Sequence, residues 1–290
     1  MSAPAGRARG ILVALVAACA IAWLGFELRA VSAPLVLRPD AVRFPADADE
    51  LYHVRRIVHA ALHFPDFITT DRYVNHPAGS QIIWPPGFDF GVAAAIRLLA
   101  APETAAEVER AAVWAPPAIG AFTIALVVLA AWFAFAPAAG VAAGLLLALL
   151  PAHFTNSQIG LVDHHVAAAA FAAAIVSAAL ALLRSASPVA RTASVLALGV
   201  ALAGAHWVWV GALFHAFLVA AVLVLWMALA GSREAALRAA TDLAAAHAIA
   251  CLGTLAFVAV PVWPDYGPWS PIVTSRLQPT WFGAAAFALG

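Results

Sequence analysis

The sequence predicts an all-α, polytopic transmembrane helical bundle with a large, partly helical first external loop. Three observations carry that prediction. Of 290 residues, 64% are hydrophobic and only 10% charged, where a soluble domain carries roughly 25% charged residues. Several charge-free runs approach twenty residues, the length a helix needs to cross a bilayer. The arginines also sort by side. With Arg7 and Arg9 held inside, alternation of the spans puts Arg184, Arg191, Arg233 and Arg238 inside too, as the positive-inside rule requires.

The first apolar segment runs from Ile11 to about Ala33 and ends in Ala30-Val31-Ser32-Ala33, a pattern resembling a signal-peptidase site. An uncleaved first helix is the preferred reading, because the later spans need no separate export signal. Further spans fall near residues 111–135, 138–153, 164–183, 192–208, 210–230 and 242–262, and an eighth begins around Trp281. The stretch from Thr192 to Ala230 is long enough for two helices. It breaks at His206-Trp207-Val208-Trp209-Val210-Gly211, where tryptophan suits an interface belt. This count leaves residues 34–110, 154–163 and 263–280 outside. The chain thus reads as a single transmembrane domain over residues 1–290, with its first external loop at about 34–110. Cys19 and Cys251 lie in apolar helices and form neither a disulfide framework nor a metal motif. Lysine is absent and the net charge is zero, so no basic block points to nucleic acid.

The large loop holds ten of the fifteen acidic residues. Within it, Glu50 to Phe64 places Leu51, Val54, Ile57, Val58, Ala61 and Leu62 at helical spacing. His53, Arg56, His59 and His63 form the polar reverse face, and the helix is expected on the membrane surface or on the bundle. The segments Asp71 to Gly79 and Trp84-Pro85-Pro86-Gly87 put proline and glycine where turns want them.

Two acidic clusters about 115 residues apart carry the chemistry: Asp47-Ala48-Asp49 and Asp163-His164-His165. The span count puts both outside. Asp49 and Asp163 are also good helix N-caps, and that reading competes with a functional one. Two adjacent imidazoles at a helix start gain little from packing. The helix N-terminus disfavours the imidazolium there and leaves a neutral ring free to ligate metal. Asp163 and His165, two apart across the cap turn, can both reach one ion. With Asp47 or Asp49 the donors become a mixed oxygen and nitrogen set, suited to Mg²⁺ or Mn²⁺.

The residues then become specific. Asp49-Glu50-Leu51-Tyr52-His53-Val54-Arg55 resembles the Asp-x-x-aromatic-(Asn/His)-x-Arg segment of oligosaccharyltransferase catalytic subunits. Asn75-His76-Pro77-x-Gly79 and Trp84-Pro85-Pro86 resemble that family's first external loop. Gly160-Leu161-Val162-Asp163-His164-His165 resembles its second acidic motif, in the Asp-x-His form of archaeal-type members, and Trp207-Val208-Trp209-Val210-Gly211 a later helix end. The resemblance runs in order from about residue 10 to 280. It implies a GT-C glycosyltransferase fold. The implied reaction moves an oligosaccharide from a polyprenyl phosphate or diphosphate carrier to an asparagine amide of an acceptor polypeptide, with Mn²⁺ or Mg²⁺ between the two acidic motifs. It further implies that Asp49 both ligates metal and holds the acceptor, that Asp163 and His165 are ligands, and that His164 and His76 face the lipid phosphate. An integral, multi-pass protein of the inner membrane is expected, with its site on the extracytoplasmic side.

Three departures bear on the acceptor. No glutamate follows Glu234, so the family's acceptor-contacting glutamate has no counterpart. The corresponding loop, Val273 to Pro279, offers Arg276 instead, either to a phosphate or merely to lipid headgroups. The sequence ends inside an apolar helix, without the family's C-terminal soluble domain, and Trp263-Pro264-Asp265-Tyr266-Gly267 only coincidentally resembles that domain's acceptor-reading motif. Two rival functions follow. One is a GT-C enzyme that modifies a lipid or polysaccharide. The other is a cation or proton transporter, for which Glu27 and His215 are the mid-membrane polar candidates.

Overall fold

The computed structural model describes residues 4–45, 48–259 and 265–290. The chain packs as two compact units, one of residues 1–67 and 89–173, the other of residues 68–88 and 174–290. Asp47 lies outside the described residues.

In the first unit, α1 (Pro4–Ala30) packs on α6 (Ala115–Ala134) and α7 (Pro137–Leu149). Ala18, Ile21, Ile124, Val128 and Ala148 make their shared core. The contact is close because α7 presents Gly140, Gly144 and Ala148 one turn apart, all buried. A Cβ on Gly144 would stand 2.2 Å from Val128 Cγ2, so small residues set the approach of the helices. Prolines set the boundaries. Pro116 and Pro117 open α6, and Leu150, held extended before Pro151, ends α7 before the short α8 (Pro151–Thr155). The expected span at 138–153 is therefore a 13-residue helix, about 20 Å long at 1.5 Å per residue.

The large loop contains α2 (Ala33–Val36), α3 (Ala48–Leu62), a two-stranded antiparallel hairpin with β1 (Thr70–Asp71) and β2 (Ser80–Gln81), α4 (Gly87–Ala100) and α5 (Ala105–Ala112). It is partly helical as expected, with more helix than the sequence disclosed. The expected helix over 50–64 appears as α3, but with a different orientation. Its polar residues Glu50, His53 and Arg56 are buried beside Val54 and Ile57, while Leu51 is 51% exposed. The first half of the polar face, His53 and Arg56, turns inward because Asp89 and Asp163 meet it there, while His63 remains exposed.

The second unit joins the hairpin segment to α10 (Pro188–Val208), α11 (Leu213–Ala228), α12 (Arg233–Thr254) and α13 (Leu277–Leu289), with α9 (His165–Leu183) leading into it. The break expected near Trp207 to Gly211 is found: α10 stops at Val208 and a short 3₁₀ turn, Val210–Ala212, precedes α11. Gly87 explains its own identity here, since a Cβ would lie 2.3 Å from the Trp207 carbonyl oxygen. The Trp-Pro-Pro-Gly turn and the tryptophan helix end thus meet. Among the described residues, six helical segments are long and apolar enough to cross a membrane. Leu12, Val16, Phe214 and Leu225 on them are 59–67% exposed, apolar surface that needs hydrocarbon around it.

Candidate functional site

Asp163 lies in an irregular segment between α8 and α9, two residues before α9 begins. It does not spend its carboxylate on the helix cap. Its Oδ2 takes the Nδ1 hydrogen bond of His165 at 2.5 Å. Its Oδ1 lies 2.6 Å from His164 Nδ1 and 3.2 Å from His53 Nε2. Those two ring nitrogens are 3.0 Å apart. One carboxylate is therefore surrounded by three imidazoles.

Behind this group stands a second carboxylate. Asp89, in the first turn of α4, receives His53 Nδ1–H at 2.7 Å and pairs with the Arg56 guanidinium at 3.0 Å. His53, Arg56 and Asp89 are each 2–3% exposed. Arg56 also sits over the Tyr52 ring, 5.2 Å from its centroid. Burial pushes the Tyr52 phenol up to about 12, so Tyr52 stays neutral. For His53, burial disfavours the charged ring, but Asp89 and Asp163 outweigh it and push the group up to about 9. Burial likewise opposes the Asp163 carboxylate. The His164, His165 and His53 rings overcome that opposition and hold it well below the usual carboxylate range. Arg56 faces Asp89, and His53 bridges Asp89 and Asp163, a buried network that removal of one member would break.

The exposed side differs from the buried side. His165 has 56% of its side chain exposed, against 6% for His164 and 2% for His53. Asp49, in the first turn of α3 and exposed, lies within electrostatic reach of His165. Asp49 and His165 are thus both exposed, whereas His53 and His164 are buried. Asp49 sits inside the helix, one turn position past its start, and is not its cap. His76 is exposed in the loop between β1 and β2, and Arg276 is exposed just before α13. Both belong to the second unit.

The donor set fits a divalent cation. Three potential ligand atoms, on His53, Asp163 and His164, lie within 4.8 Å of one another. Asp163 Oδ1 is buried without a well-aligned hydrogen bond despite its two close imidazoles, which leaves a lone pair open to an ion. The Asp89–His53 hydrogen bond fixes the orientation of that imidazole against Asp163. Sequence reasoning missed His53, Arg56 and Asp89 as site residues. The available signal was Asp89 itself, a lone acid in the apolar run Phe88-Asp89-Phe90-Gly91-Val92.

Comparison with known proteins bears on this arrangement. The family profile described as "Oligosaccharyl transferase STT3, N-terminal" matches residues 41–264. Comparison with curated proteins gives no significant match. Among solved structures, the chain is similar to the oligosaccharyltransferase of Archaeoglobus fulgidus in several states. The apo form aligns with a TM-score of 0.78 at 20% identity, covering 96% of this chain and 32% of that one. The complex with Zn and sulfate aligns at 0.79 and 22% identity, covering 95% and 34%. The complex with an inhibitory peptide and a dolichol-phosphate aligns at 0.77 and 21% identity, covering 96% and 32%. The chain spans about one third of the length of these solved relatives. Its helical bundle has the GT-C fold they share, and with a profile match over residues 41–264 the chain belongs to the STT3 oligosaccharyl transferase family, as part of an integral membrane protein.

Proposed function

We propose that this chain carries the metal centre of a membrane glycosyltransferase that moves an oligosaccharide from a polyprenyl phosphate or diphosphate carrier to an asparagine amide, on the extracytoplasmic face. The observation that carries the reading is Asp163, its carboxylate held ionised among three imidazoles, one of them, His165, exposed. Two solved structures of one relative support the substrates: one of the Archaeoglobus fulgidus enzyme holds a dolichol-phosphate, and the other is tethered to an acceptor peptide with an NVT sequon.

We assign Asp49, Asp163 and His165 as metal ligands, with Asp47 a fourth candidate by sequence. A catalytic ion needs a coordination position open to substrate, and the exposed edge at His165 and Asp49 offers one. The buried triangle of His53, His164 and Asp163 Oδ1 does not. His53, with Asp89 and Arg56 behind it, instead orients Asp163 from the inside. When bound, Mn²⁺ or Mg²⁺ supplies a Lewis acid that offsets charge on the leaving phosphate. Asp49 would hold the ion and orient the acceptor nitrogen, and burial of the Asp163 support excludes water from behind. By the resemblance His76 and Arg276 are assigned to the carrier phosphate, whereas His164, buried against Asp163 and His53, supports Asp163 from the inside. The bilayer holds the carrier's lipid tail.

The test is glycan transfer from a labelled polyprenyl-linked donor in membranes containing the full natural chain, with and without Mn²⁺. Metal-dependent labelling of an asparagine peptide, lost in Asp163→Asn, is the expected result. Metal-dependent labelling of a lipid or polysaccharide acceptor supports the alternative that the missing late glutamate favours. Cation flux dependent on Glu27 or His215 and indifferent to Asp49 supports the transporter.

A further inference from the structure

Arg29 closes α1, a membrane-spanning helix, and none of its side chain is exposed. Such a residue at the end of an apolar helix ordinarily snorkels toward water. This one turns inward. Its Nε–H donates to Ser157 Oγ at 2.6 Å, and Nη1 donates to the carbonyls of Gly25 at 2.9 Å and Ala148 at 3.2 Å. Nη2 donates to His153 Nδ1 at 2.8 Å, and the guanidinium lies 5.4 Å from the centroid of the Phe154 ring. All of these partners are neutral. A charge buried in a membrane protein with only neutral partners is a functional feature by default.

We propose that Arg29 is a positioning residue: it anchors the irregular segment 157–163 in the conformation that presents Asp163. This inference rests on the metal reading of Asp163 given above. Three fastenings support it. The guanidinium holds Ser157, which is itself fully buried and donates to the His153 carbonyl. The Arg29 carbonyl accepts Ile159 N–H at 3.0 Å. One residue later, Gly160 N–H donates to the Val113 carbonyl at 3.3 Å, and Gly160 takes φ +92°, a backbone state that glycine alone adopts readily. Both ends of Arg29 therefore grip one short stretch, four to six residues before Asp163.

The site is built around the guanidinium. A Cβ on Gly120 would stand 3.0 Å from Arg29 Nε and 2.8 Å from Ser157 Cβ, so α6 leaves room for this bond and nothing larger. Lysine cannot substitute fully, because one ammonium does not span Ser157, Ala148 and His153 with the geometry of a planar fork. Segment 157–163 has no regular secondary structure of its own. Its backbone conformation is set by such anchors or not at all.

The experiment uses the full chain in lipid nanodiscs, with two readouts. Amide hydrogen exchange at Ile159 and Gly160 reports the anchor, and Mn²⁺ binding by electron paramagnetic resonance reports the site. Arg29→Met is expected to raise exchange at both amides and to weaken Mn²⁺ binding, each by about tenfold or more, with Arg29→Lys recovering part of both. Should Arg29→Met fail to insert, Ser157→Ala carries the test, since it removes a single bond. Unchanged exchange in both Arg29→Lys and Ser157→Ala overturns the proposal. Raised exchange with unchanged Mn²⁺ affinity also overturns it, by making the anchor irrelevant to Asp163. Raised exchange in a protein whose wild type binds no Mn²⁺ defeats the metal reading and leaves the anchor standing.

Discussion

The first unit and the second each bury histidines, and the two sets are built for different ends. In the first, His53 and His164 face Asp163, and His53 is backed by Asp89. In the second, His206 and His247 are equally buried, at 0% and 1% exposure. Their Nδ1–H groups donate to the carbonyls of Leu202 and Leu243, one turn back on their own helices, at 2.8 Å. Phe282 packs against both rings, and Trp281 against His247. A backbone carbonyl fixes a ring without charging it. A carboxylate makes the ring a partner in an ion network. The residue type is the same in both units, and the partner decides whether the ring joins an ion network or is held by its own helix.

Substitutions ranked by expected size sharpen this contrast. Asp163→Asn keeps the volume and removes the charge that three imidazoles share, so Mn²⁺ binding is expected to fall by about 100-fold or more and glycan transfer with it. Retention of both, measured by metal titration and donor turnover, would remove Asp163 from the site. Next come the two sides of the cluster. His165→Ala is expected to weaken Mn²⁺ binding more than His53→Ala does, each within roughly 10- to 100-fold. The opposite order would move the ion to the buried triangle of His53, His164 and Asp163.

The pH dependence separates the units further. The folded-state pKa of His53 stands above its ordinary value of 6.5, near 9. Its contribution to stability is therefore complete below about pH 6.5 and is lost as pH rises through about 9. Asp163 has the opposite sign, and its contribution begins to disappear as pH falls below its ordinary value of 3.8. Thermal unfolding in chelator is expected to show Tm falling between pH 6.5 and 9, with the fall flattened in Asp89→Asn. A parallel fall in that variant would separate His53 from the effect. The smallest change is expected at His206→Leu. It exchanges one buried side chain for another of similar size and leaves the helix ladder intact, so stability should move by only about 1 kcal/mol and Mn²⁺ binding not at all. A loss of Mn²⁺ binding there would erase the distinction between the two sets.

Much of this was legible in the chain. Apolar runs marked most spans, but the expected span over 138–153 ran through Pro151, where α7 has ended and α8 begins. The break at Trp207 to Gly211 was readable because the stretch from Thr192 to Ala230 is long enough for two helices and tryptophan there suits an interface belt. Asp163-His164-His165 was conspicuous because adjacent imidazoles at a helix start serve no packing purpose. The support behind them was not legible. Helical spacing alone assigns His53 and Arg56 to a solvated face, and the distant carboxylates of Asp89 and Asp163 reverse that assignment. Arg29 stands where a positive residue normally marks the membrane interface, and its inward turn depends on Ser157, 128 residues away. Local pattern reads propensity and hydropathy. It cannot read compensation between distant charges.

The fit of Gly87 against the Trp207 carbonyl has a consequence in time. The Trp-Pro-Pro-Gly turn leaves the ribosome roughly 120 residues before its partner. At a synthesis rate of 5–20 residues per second, that turn waits roughly 6–24 s for the end of α10 to be made. During that interval the newly made segment 68–88 has no seat in its own unit, so its maturation is tied to insertion of helices that follow much later in the chain.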